Sequence, residues 1–134
     1  MRMFIVLALV VVAGCASTPI PTDQAEPTKD IVDRTVTTPR DGASQVVIKR
    51  DSGATGIACS IRISLNGRPV ANLRAGQVVT VYLSPAEYIF GAASTGLCGG
   101  GDAEAQVQLG RNEMRTLRVS IDQNASIRIG PTAH

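Results

Sequence analysis

The stretch Ile61-Arg62-Ile63-Ser64-Leu65-Asn66-Gly67-Arg68-Pro69-Val70 decides the fold class. Its first half alternates apolar and polar side chains with a period of two, the pattern of a strand with one buried and one solvated face. Ile61, Ile63 and Leu65 point one way, Arg62 and Ser64 the other. Asn66-Gly67 then supplies the two positive-φ positions of a type I′ hairpin turn. Pro69 lies in the returning arm. Proline has no N–H for a ladder, so this arm belongs at a sheet edge.

Outward from the hairpin the same texture repeats. Short β-branched runs occupy 45–50, 59–65, 68–73, 77–83, 87–93, 103–109, 114–121 and 125–129. Gly, Pro, Asn and Asp break them every ~8–12 residues, the spacing of a sandwich or barrel. Val79, Val81 and Leu83 oppose Thr80 and Tyr82; Leu117, Val119 and Ile121 oppose Arg118 and Ser120. Gly76, Gly110 and the run Asp122–Asn124 mark later turns. Beyond residue 15 no stretch has a helical period. The reading is all-β: one small antiparallel sandwich of about seven to eight strands over residues 44–134.

Charge and composition exclude several functions. The 134 residues carry a formal net charge of +2. Residues 44–134 hold nine Lys/Arg against six Asp/Glu, with no basic run. The aromatics are Phe4, Tyr82, Tyr88 and Phe90, with no Trp. Neither a nucleic-acid footprint nor a base- or sugar-stacking platform is present. The core must come from Val, Ile, Leu and Ala. Residues 16–43 differ, with Pro19, Pro21, Pro27 and Pro39 among Thr, Asp and Glu. So little apolar surface cannot offset ordering entropy, so residues 15–43 are expected to form a disordered, extended tether. Ile31, Val32 and Val36 are its only candidates for a short strand or helical turn.

The order of the turns carries a resemblance. Ile61–Val70, then Leu73-Arg74-Ala75-Gly76, then Val81-Tyr82-Leu83-Ser84-Pro85-Ala86-Glu87-Tyr88 resembles the small β-sandwich modules of PEGA type, and a set of uncharacterised bacterial lipoproteins. Ala86 stands where those modules usually have Gly. The resemblance covers about residues 45–121 and implies an architecture, with no catalytic residues attached.

The N-terminal region carries a second resemblance. Arg2 precedes the apolar run Met3–Ala13, and small residues lead into Cys15. That is the layout of a secretory signal peptide, over residues 1–14. The run is too short for a spanning helix, which needs about 20 apolar residues. Val12-Ala13-Gly14-Cys15 resembles the lipobox of bacterial lipoproteins. It implies a diacylglyceryl thioether on Cys15, cleavage before it, and a membrane partner held through lipid; two or more acyl chains give stable attachment. Ala16 and Ser17 replace the Asp that retains such proteins in the inner membrane, implying the outer membrane, facing the periplasm.

With Cys15 lipidated, Cys59 and Cys98 remain in a chain exported to an oxidising compartment, and a Cys59–Cys98 disulfide is expected. No C-x-x-C spacing occurs and His134 is the single His, so no metal site or cofactor is expected. The bridge would bring together two glycine-rich loops, 51–58 and 96–102. Their candidate binding residues are Asp51, Thr55, Gly96, Gly99, Gly100, Gly101 and Asp102. A phosphate-cradling loop would need Gly-Lys-Ser/Thr or a strand–loop–helix setting, and neither follows. A serine triad lacks a placed base. Asp102 and Glu104 read as solvated edge charges, and Arg62, Arg68, Arg74, Arg115, Arg118 and Arg128 as an arginine-rich polar face. The functional expectation is a non-enzymatic envelope lipoprotein that binds protein or glycan. The alternative is a periplasmic inhibitor of a hydrolase such as lysozyme.

Overall fold

A computed structural model describes residues 17–53, 58–95, 98 and 100–134. The chain forms two packed sheets. One has the strand order β1 (Glu26–Pro27), β5 (Gln77–Leu83), β2 (Ser44–Arg50), β8 (Met114–Ile121), β9 (Ile127–Pro131). The other has the order β4 (Arg68–Leu73), β3 (Ile61–Leu65), β6 (Ala86–Ser94), β7 (Asp102–Leu109). The all-β sandwich is as expected, and the strands fall close to the runs that period-two alternation marks out.

The core is the apolar half of each alternation. Ile61, Ile63, Val81, Leu117 and Val119 are buried together with Val46, Ile48, Leu73, Phe90 and Leu109 between the sheets. Fully burying such a side chain contributes about 1.5–3 kcal/mol, which suffices here with a single Phe in the core. Asn66 and Gly67 take φ of 48° and 80°, closing the β3–β4 hairpin as its sequence requires. β4, with Pro69, is the last strand of its sheet.

Two features depart from the sequence reading. The sheets are not purely antiparallel, because β2 pairs parallel with β8, and β1 with β5. Strand direction reverses at every step from β2 to β9. β2 and β8 are six steps apart, so they run the same way, and they meet because the chain crosses to the other sheet for β3 and β4 and again for β6 and β7.

The second departure is the expected tether. Residues 17–43 are laid along the sandwich. Thr18 forms an antiparallel bridge with Ser52, and Lys49 Nζ donates to the Ile20 carbonyl. β1 then pairs with the edge of β5. The chain next crosses to β4, where Asn72 N–H donates to Asp30 O, and the Val32 and Asp33 N–H groups donate to Val70 O. Asp33 caps the helical turn α1 (Arg34–Thr37) by accepting from the Thr35 N–H. Ile31 and Val36 pack onto the core. Composition forbids this segment a core of its own, but it orders on exposed edges of both sheets, where backbone groups await partners. On the outer face of β2, Lys49 is buried with its ammonium on the Ile20 carbonyl.

Candidate functional site

Alternating strand direction gathers four connections at one end of the sandwich: 51–60, 74–76, 95–101 and 122–126. The Cys59–Cys98 disulfide joins the first and third, with Cα atoms 6.1 Å apart across 39 positions. The connection after β2 is thereby tied to the one after β6, by the bridge the cysteine count implies. Thr55, Gly96 and Gly99 lie outside the described residues, as does Cys15.

The described residues of this tip are tightly tied. Arg50 is buried, and its Nη1 donates to the carbonyls of Cys59 (2.6 Å) and Leu73 (2.9 Å). It pins the end of the first tip connection to the start of the second from inside, and burial lowers its pKa. Asp51, a candidate binding residue, is 3% exposed and turned inward. Arg118 grips its carboxylate with two bonds of 2.8 and 2.7 Å, and Ser17 Oγ donates a third at 3.0 Å. Its carboxylate thus serves the fold and the N-terminal segment and is not offered to a ligand. The Asp51 hydrogen bond, ahead of the opposing effect of burial, raises the pKa of Arg118.

Gly100 is an anchor as well. At φ +120° it sits where an added Cβ would collide with the Ala125 carbonyl oxygen, so the β6–β7 loop of one sheet docks on the β8–β9 turn of the other. That turn is held by Asp122 Oδ1, which accepts from the Asn124 and Ser126 N–H groups. Gly101, at φ +69°, faces open space. Asp102 begins β7 and is exposed, as is Glu104.

The six arginines do not form one face. Arg62 and Arg68 lie on the four-stranded sheet; Arg115, Arg118 and Arg128 lie on the five-stranded one. Arg74 is in the β4–β5 turn. Identical residue types at alternate positions cannot reveal which sheet each strand joins, and the alternation alone made them look contiguous. Arg115 pairs with Glu113 at 3.1 Å. The Gly110 N–H, and after it Arg115, lower the Glu113 pKa.

A groove at the opposite end was not foreseen. It has a volume of about 500 Å³ and lies between Gln106 and Gln108 of β7, Met114, Arg115 and Thr116 of β8, and the segment 131–133. Met114 is 67% exposed at its rim. β7 is the last strand of its sheet, and β9 of the other sheet packs along it. Amides, a guanidinium, a hydroxyl and an apolar rim suit an extended polar chain, either a peptide strand or a glycan. The sequence hint is the Gln106/Gln108 alternation, but nothing in sequence joins it to Met114 or Thr132.

Among the described residues, no three His, Cys, Asp or Glu side chains gather as metal ligands would, and no helix is long and apolar enough to cross a membrane. The chain matches no family model, no curated protein and no solved structure.

Proposed function

We propose that this chain is a lipid-anchored envelope protein that acts by binding a protein or glycan partner rather than by catalysis. The observation that carries the reading is Val12-Ala13-Gly14-Cys15 at the end of an apolar run, the layout of a lipoprotein signal. The Cys59–Cys98 bridge accords with a life outside the reducing cytoplasm. The PEGA-like turn order and an outer-membrane address belong to the same proposal. The groove beside β7 is the surface assigned to the partner, because it gathers polar side chains able to fix an extended ligand.

The test uses the soluble form Ser17–His134, which keeps the N-terminal segment that completes both sheets. Sedimentation with purified peptidoglycan and crosslinking in envelope extracts should each be compared with Gln106→Arg and Thr116→Arg variants. Binding that both substitutions abolish supports the groove. Binding unaffected by either overturns it. Near-stoichiometric loss of lysozyme activity on adding the protein would replace this reading with that of a hydrolase inhibitor.

A further inference from the structure

We infer that the disulfide-clipped end of the sandwich lies against the lipid headgroups, and that the groove end is thereby turned toward the compartment. The inference rests on the lipoprotein reading and goes beyond it, by fixing an orientation. Ser17 is the first residue the structure describes. Ser17 Oγ is bonded to Asp51 Oδ2 at 3.0 Å, Thr18 N–H donates to Ser52 O at 2.8 Å, and Ser52 N–H donates back to Thr18 O at 2.9 Å. Ser17 is therefore fixed at the tip end of β2. An extended chain covers at most ~3.6 Å per residue, so the Cα of Cys15 lies within about 7 Å of that of Ser17. The headgroup layer of one leaflet is about 5–7 Å deep. Lipid attached to Cys15 thus leaves no slack for a spacer. The end of the domain carrying Ser52 must rest at the headgroups.

This end also carries exposed charges, Glu26, Lys29, Asp30 and Arg74 among them, so the orientation follows from the short reach between Ser17 and Cys15 and not from charge. The end of the sandwich that carries Ser52 and the Cys59–Cys98 bridge is on this account the membrane-facing foot. At ~3.3 Å per residue, the eight-residue β8 places the groove end about 26 Å farther out.

The test uses the full lipidated protein, produced in a bacterial host and reconstituted in phosphatidylethanolamine/phosphatidylglycerol vesicles that carry a headgroup-attached spin-label quencher. Gln123→Cys places a fluorophore in the exposed β8–β9 turn at the foot, and Arg111→Cys places one in the β7–β8 turn at the far end. Fatty acid on Cys15 is read separately by mass spectrometry. The expected result is several-fold stronger quenching at position 123 than at 111. Fatty acid present with equal quenching at both positions, or stronger quenching at 111, overturns the orientation alone. Fatty acid absent from Cys15 overturns the lipoprotein reading and the orientation with it.

Discussion

Replacing Cys98 with Ala probes what the bridge does for a domain with little aromatic core. The bond spans 39 positions. In the chain-entropy model, freeing a loop of that length from the unfolded ensemble corresponds to about 4 kcal/mol. The native end of β3 is held independently of it. Arg50 Nη1 grips the Cys59 carbonyl, and the Thr95 N–H and hydroxyl both donate to the Ser60 carbonyl. The folded tip should therefore survive the loss of the bond, and the effect should fall mainly on the unfolded state. Guanidinium unfolding of Ser17–His134 should show a loss of about 3–4 kcal/mol and a steeper denaturant dependence, because the uncrosslinked chain exposes more surface. Amide exchange in β3 and β6 should keep its native pattern. A loss under about 1 kcal/mol with an unchanged slope would refute this reasoning. So would selective loss of protection at Ser60 and Thr95, which would make the bond a native-state clamp.

Further substitutions test the ties around the tip. Gly100→Ala should cost about 1–3 kcal/mol, since its Cβ meets the Ala125 carbonyl at a φ of +120°; thermal melts within a degree of the parent would contradict that docking. Arg118→Ala leaves the buried Asp51 carboxylate, among the described residues, with the Ser17 hydroxyl alone. Breaking a fully buried pair costs about 3–5 kcal/mol, so with the Arg118 side chain 37% exposed about 2–3 kcal/mol is expected, measured by chemical unfolding. The Thr35 hydroxyl and N–H lower the Asp33 pKa from its ordinary 3.8. Its stabilising contribution is present above that value and lost as pH falls through the lowered folded value. Exchange protection at Thr35 should follow that acid limb, and Asp33→Ala should flatten it.

How much of this was legible in sequence follows from where the ordering forces lie. Side-chain alternation reports a buried face, so β3, β5 and β8 could be read directly from Ile61–Leu65, Val79–Leu83 and Leu117–Ile121. Turn chemistry reports backbone sign, so Asn66-Gly67 marked its hairpin and Pro69 its edge. Counting cysteines gave the bridge. The segment 17–43 was illegible for the complementary reason. It is held by backbone bonds such as Thr18–Ser52 and Val32–Val70, which leave no side-chain pattern. Its proline- and aspartate-rich composition therefore pointed to disorder. Asp51 looked like an exposed loop acid because its partner Arg118 is 67 positions away. The groove joins β7 to the segment after β9, and only the sheet order brings them together.

The central claim is that the protein is held to a membrane through Cys15, and the mass of its native N-terminal peptide tests that most directly. The protein would be extracted from the membrane fraction of cells making the full chain, digested, and its N-terminal fragment weighed. The account predicts that Cys15 is the first residue and carries diacylglyceryl and acyl mass. An N-terminal peptide that retains residues 1–14, or that begins elsewhere with an unmodified Cys15, would contradict it.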